Sequence, residues 1–324
     1  MGWSTASDSK DVTYKLGDNY TENESVTLYA VWESSLIPSV ANAPVLGEGM
    51  KAVYWDDENA TNEFEYDTFM LADGIPNTTI YSYTMGDGVT DTKTAKWANA
   101  KTTDDGSYWV WIPRYAYKLI YYTTSNRTVE STTKTRCGDI DVLFMYGTSD
   151  TQYRDKDGNP KDLPEGYKVH PAFQKMTAEE EVAGNNPLGK WDDELQGIWV
   201  MKYEASRETS TDGTTWVVAS GTNGLTTNAG NTSTTKSRMV SKPSVTSWRS
   251  INISNIYQNC VSMYPKINTH QMKNSEWGAV AYLTYSPYGR NGEELAVNQC
   301  SSYYTGAGKG KGTSTVYESS YYAY

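Results

Sequence analysis

Cysteine, histidine and phenylalanine are scarce, with 3, 2 and 4 copies in 324 residues. Cys137, Cys260 and Cys300 cannot all pair, and no C-x-x-C occurs, so neither a zinc ribbon nor a disulfide framework is indicated. One bridge between Cys260 and Cys300 and three buried thiols are both compatible with this usage. Two histidines, His170 and His270, are too few for most imidazole-based metal sites. No apolar run approaches the roughly 18 residues that a membrane-spanning helix needs. Basic charge is also short: 28 Lys and Arg stand against 39 Asp and Glu, for a net charge of −11. A protein that grips nucleic acid through its backbone phosphates needs a basic face, and none is evident. Met1 runs straight into "GWSTASDSK" without a secretory leader.

Tyrosine and tryptophan are plentiful, at 27 and 11 copies. Each joins an apolar body to a polar tip, which suits half-exposed sheets and contact surfaces. Together with abundant Thr, Ser, Asn and Gly, this composition predicts a β-rich, loop-rich protein of secreted or cell-surface character. The missing leader then leads us to expect a fragment of a longer exported chain or phage-particle protein.

The first segment, residues 1–33, ends in "VTLYAVW", a β-branched and aromatic strand that follows the turn-rich "GDNYTENES". This stretch resembles the second half of an internalin-type B-repeat, a small β module of bacterial surface proteins. Residues 34–49, "SSLIPSVANAPVLGEG", have Pro, Gly and small residues without periodicity, and are expected to be a linker. From residue 50 onward "KAVYWDD", "YWVWIPRYAYKLIYY", "VLFMYG", "GIWVMKYEAS" and "TTWVVAS" are strand candidates. The Ile112-Pro113 step predicts an edge strand or a bend. The Thr/Ser/Asn/Gly-rich tract 208–240 is expected to be a surface loop.

Helices are few and late. One is predicted to start near Ser250 or Ser254 and stop before Pro265, with Ile253, Ile256, Tyr257 and Cys260 on one face. Another is capped by Asn274 or Ser275, carries Glu276 at its positive end, and is ended by Pro287 and Gly289. Its spacing places Trp277, Val280 and Ala281 on one buried face, flanked by Ala279 and Leu283.

"GSYWVWIPRYAYKL", "VHPAF", "GIWVMKYEAS", "SWRSINISN" and "HQMKNSEWGAVAYL", in this order, resemble bacterial and prophage proteins related to the formylglycine-generating, or sulfatase-modifying-factor, family. Trp109, Trp111, Pro113, Arg114, Trp199, Trp248, Glu276 and Trp277 are the positions that carry this signature. The resemblance covers residues 50–324. It implies an α+β, C-type-lectin-like fold with few helices and a twisted, mostly antiparallel sheet. Such domains usually continue into a "GLYDMSGNVWEWV"-like segment, which in some members supplies calcium ligands. This sequence stops at "YESSYYAY", so a domain without its C-terminal part is expected. The oxidase cysteines of the family lie in that later region, and Cys300 in "AVNQCSSYY" does not match them. The resemblance therefore supports the fold rather than the activity.

No catalytic residue is assigned. His170, beside a proline at a strand end, and His270, beside a helix cap, suit structural roles. The pairs Asp56-Asp57, Asp104-Asp105 and Asp192-Asp193 adjoin turn residues and read as solvated turns. "DKDGNPKDLPEG" begins like a calcium loop with Asp155, Asp157 and Asn159, but Pro160 and Gly166 replace the glycine and glutamate of an EF-hand. A tight hairpin turn fits it better. No cofactor is expected; calcium is compatible with the implied fold, but no site is identified. The Tyr-, Ser- and Gly-rich end has the character of a contact surface, so Tyr303, Tyr304, Tyr317, Tyr321 and Tyr322 are the ligand-binding candidates. The expected function is a non-catalytic module that binds an unidentified protein or glycan. An oxidoreductase of the formylglycine-generating type and a structural spacer are the alternatives.

Overall fold

Alternation of Trp, Tyr and Val with smaller residues produces antiparallel strands throughout a computed structural model of the chain. The structure describes residues 2–5, 13–15, 19, 21, 25–31, 41–55, 62–72, 74, 76, 77, 79–83, 96–121, 137–184, 186, 188–219, 236–248, 251, 253–264 and 267–289. Two units are distinguished, Met1–Ile37 and Pro38–Tyr324. In the first, β1 (Gly2–Ser4) pairs antiparallel with both β2 (Tyr14–Lys15) and β3 (Tyr29–Val31), and β3 lies within the "VTLYAVW" segment.

The second unit begins with residues that composition assigns to a linker. Asn42 is nonetheless buried, donating to the Gly147 and Gln196 carbonyls at 2.8 and 3.1 Å. Linker-like composition does not reveal that this segment packs against the core through Ala41, Ala43 and Leu46, anchored by the Asn42 amide.

The strands β4 (Met50–Trp55), β5 (Glu63–Tyr66), β6 (Asn99–Thr102), β7 (Tyr108–Pro113), β8 (Tyr115–Tyr121), β9 (Cys137–Phe144), β10 (Gln152–Arg154), β11 (Pro160–Asp162) and β12 (Lys168–Val169) come first. A 3-10 turn, Pro171–Phe173, and helix α1 (Ala178–Ala183) follow. Then come β13 (Gly197–Met201), β14 (Ser206–Ser210), β15 (Val217–Val218), β16 (Lys236–Val240), α2 (Ile253–Met263) and α3 (Asn274–Tyr285). The main sheet has the order β13-β7-β6-β4-β5; β12-β8-β9 and β15-β14-β16 form separate three-stranded sheets. All these ladders are antiparallel, so the chain is an α+β protein of mostly sheet and few helices.

Four expectations change. β7 is an interior strand between β13 and β6, not an edge. It accepts Pro113 because that residue ends the strand, past the first residue of β6, where a missing N–H interrupts no ladder. The bend itself is present at Arg114, where the chain leaves the main sheet for β8. Parts of the polar 208–240 tract are strands, in β14, β15 and β16, because Glu208 is buried between Arg238 and Lys242. Finally, the α3 face is rotated: Glu276, Ala279 and Leu283 are buried, while Trp277 is 66% exposed. On α2, Cys260 is buried, but Ile253 and Tyr257 face solvent at 71% and 58% exposure.

The core lies where the main sheet, the β8–β9 ladder and α3 meet, around Phe69, Tyr83, Trp111, Tyr115, Phe144, Phe173 and Leu283. Its polar tips are bonded: the Tyr83 hydroxyl donates to the Trp111 carbonyl at 2.6 Å, and the Tyr115 hydroxyl to that of Ala279 at 2.7 Å. Arg114, fully buried at the bend, donates from Nη1 to the Phe173 and Leu195 carbonyls at 2.6 and 3.2 Å and from Nε to that of Ser149 at 3.3 Å. It is also ion-paired with Asp150 and, at 2.7 Å, with Glu194.

Removing one partner of a buried, charged network leaves the others uncompensated. Arg114→Leu is therefore expected to cost about 3–5 kcal/mol. Asp150→Asn, at a half-exposed carboxylate, is expected to cost no more than about 1 kcal/mol. Denaturant midpoints for the two variants check this, and equal losses would contradict it.

Candidate functional site

One side of the β13–β7 pair forms the floor of a cavity of about 890 Å3. In this register Trp199 stands opposite Trp111, and Met201 opposite Trp109. Successive strand side chains alternate between faces, so these four large residues share one face. The Trp111 and Trp199 rings lie 5.2 Å apart, tilted by 58°. Gly197 makes this packing possible, because a Cβ there would meet the Trp111 ring at 2.4 Å. Met50, Leu46 and the α2 residues Ile256, Cys260 and Met263 provide apolar walls. Asp192, Asp193 and Glu204 line the cavity and are exposed to solvent.

The three indole N–H groups are treated differently. Trp111 Nε1 donates to the Asn42 carbonyl at 3.3 Å, and Trp199 Nε1 to that of Val45 at 2.7 Å. Trp109 is only 6% exposed, and among the described residues its Nε1 has no hydrogen-bond partner. A buried donor left unsatisfied is costly.

A polar cluster borders the cavity near the start of α3. His270 Nε2 lies 2.9 and 3.1 Å from the two Glu276 carboxylate oxygens, and the Lys273 backbone N–H donates to Glu276 at 2.8 Å. Lys273 Nζ sits 3.6 Å from the centre of the Trp191 ring, a cation–π contact. The hydrogen bond to Glu276 raises the His270 pKa, against the opposing effect of desolvation. Glu276 is thus both the helix's N-terminal acid and a buried anchor. Its burial explains the rotated helix face.

Elsewhere, His170 caps the 3-10 turn, accepting from Ala172 N at 3.3 Å, among the rings of Tyr115, Tyr117, Phe173 and Tyr282. Burial pushes its pKa down to about 4. Cys260 is a buried free thiol, and burial raises its pKa. On the opposite face of the main sheet, Lys202 donates to Asn99 Oδ1 at 2.9 Å and lies 4.1 Å over the Trp55 ring. Desolvation pushes its amine down to about 8.

The signature residues fall at structural joints: Trp109 and Trp111 on β7, Pro113 at its end, Arg114 at the bend, Trp199 on β13, and Glu276 and Trp277 on α3. The backbone N–H of Trp248 donates to the Ala205 carbonyl at 2.7 Å, after β16. Asp155 closes the β10–β11 hairpin, accepting from Asp157 N and Asn159 N at 3.0 and 2.8 Å. Asp105 likewise accepts from Ser107 N at 2.9 Å in the β6–β7 turn. Among the described residues no group of three or more His, Cys, Asp or Glu is placed to hold a metal ion. No helix among them is long and apolar enough to cross a membrane. Tyr303, Tyr304, Tyr317, Tyr321 and Tyr322, with Cys300 and Asp56-Asp57, lie outside the described residues. The cavity was not anticipated as a site. Its signal was the pair of alternating segments "WVW" and "GIWVM", which stack three tryptophans on one face once paired. Comparison with protein-family models, curated proteins and solved structures finds no match to this chain.

The two histidines give opposite pH dependences. His270 is raised in the folded state, so its contribution is fully present below the ordinary value of about 6.5 and is lost as pH rises through the folded value. His170 is depressed to about 4, so its contribution is present above about 6.5 and is lost as pH falls from there toward about 4. Chemical-denaturation midpoints across this range should lose their alkaline slope in His270→Gln and their acid slope in His170→Gln. Unchanged profiles would contradict the assignment.

Proposed function

We propose that the chain is a non-catalytic ligand-binding or adhesion module of a bacterial surface or phage-borne protein. In this reading the second unit is a C-type-lectin-like domain related to the formylglycine-generating family, preceded by a B-repeat-like β module. Support for the lineage is the order of the motifs and their places at joints of an antiparallel, helix-poor domain. The observation that carries the function is the tryptophan-floored cavity with the His270–Glu276 cluster at its border. Large apolar hollows with a few convergent polar groups are the usual form of ligand sites. The ligand is an unidentified protein or glycan, and both pack favourably against aromatic side chains.

The oxidoreductase alternative draws no support from Cys260. Its buried thiol is held in the neutral form, whereas a reactive cysteine is favoured as thiolate in an electropositive, accessible place.

Saturable binding on glycan and peptide arrays tests this reading. Trp199→Ala is expected to weaken the strongest interaction by about tenfold or more, as central aromatic contacts do. Trp277→Ala, on the exposed side of α3, should leave it unchanged. A Tyr321→Ala/Tyr322→Ala variant measures what the tyrosine-rich end contributes. Absence of any saturable partner would favour a spacer instead.

A further inference from the structure

Besides the face that forms its floor, the cavity follows the edge of β13. Residues lining only a sheet face would appear at every second position. Here every residue from Gly197 to Ala205 lines the cavity without a break. Among the described residues β13 is the terminal strand of the main sheet and pairs only with β7. The Gln196 carbonyl accepts from Arg114 N at 2.8 Å, and Lys202 N donates to the Tyr108 carbonyl at 3.0 Å. Even-numbered residues therefore direct their backbone groups toward β7. By the alternation of an antiparallel ladder, Gly197, Trp199 and Met201 direct theirs outward. No backbone hydrogen bond to these three outward groups is present among the described residues. Just beyond them, Tyr203 N donates to Ser241 Oγ at 3.0 Å, which closes that end of the edge.

An open edge with unsatisfied N–H and C=O groups is a template for another strand. Resting on the ligand-binding reading above, we propose that the occupant of the cavity is an extended peptide segment of a partner protein, added antiparallel or parallel to β13. Its alternate side chains enter the hollow over Trp109, Trp199 and Met201. There a large apolar side chain fits. The rim specifies charge. Asp192, Asp193 and Glu204 are exposed and have no ion-pair partner among the described residues, so basic residues flanking the apolar positions complement them. A compact sugar satisfies the indole faces but not a row of backbone groups spaced along a strand.

A random-peptide display library panned against the full chain tests this. Enriched sequences are expected to alternate large apolar residues with others and to carry flanking Lys or Arg. Synthetic versions N-methylated at alternate positions read strand pairing directly. Methylation at one parity should abolish binding, and at the other it should leave binding within a few-fold. In the protein, Met201→Pro removes an outward N–H that the β7 ladder does not use, and should weaken binding at least tenfold. Joint Asp192→Asn, Asp193→Asn and Glu204→Gln substitution should weaken it several-fold and flatten its salt dependence. Equal effects of the two methylation patterns would overturn strand addition even if Met201→Pro failed to fold. Glycans binding in a Trp199-dependent way with no peptide enriched would overturn this inference while leaving the ligand-binding reading intact. Failure of both libraries would remove both.

Discussion

A single buried guanidinium governs the geometry of the second unit. Arg114 stands where the chain passes from the main sheet to the β8–β9 ladder, and its donors reach Ser149, Phe173 and Leu195. These carbonyls belong to three segments far apart in sequence. Side chains that only filled space would not fix their relative positions, because apolar contact has no direction. A planar fork of five donors does. Leu195 is followed within two residues by Gly197, so the placement of β13 beside β7 descends from the same anchor. The tryptophan floor is a consequence of that placement.

Several features were legible from the residues alone. The strand segments around "YWVWIPR" and "GIWVM" announce themselves by alternation, and the Ile112-Pro113 step does mark a bend. The hairpin at Asp155–Asn159 follows from turn chemistry that any D-G-N sequence carries. Local patterns fail where a distant partner decides the outcome. Pro113 sits in an interior strand because β6 is short, which no feature of residues 108–113 discloses. Apolar counting places Trp277 inside α3 and Glu276 outside. The reverse holds because His270 and the Lys273 backbone supply the carboxylate with partners. Glu208 behaves similarly in the polar tract around β14, where Arg238 and Lys242 neutralise it.

The cavity was illegible for a related reason. Its floor comes from two strands separated by most of a hundred residues, and its walls from α2 and the segments on either side of it. Methionines and a cysteine on those walls look like ordinary core in any single window of sequence. What distinguishes them is that the main sheet's terminal strand has one edge without a neighbouring strand among the described residues. In the function proposed above, binding is tied to incompleteness in the sheet, more than to any constellation of reactive groups.

Gly197 has a further consequence for that edge. The Trp111 ring occupies the space a side chain would need there, and so does the Ile112 carbonyl oxygen at 2.7 Å from an added Cβ. Sliding β13 along β7 by one residue would bring Gln196 or Ile198 beneath the indole, and by two residues Leu195 or Trp199. None of these fits, so the glycine acts as a detent that admits one register only. The edge can then accept a pulling load along the strand without slipping, because any displacement must first force a side chain through an aromatic ring.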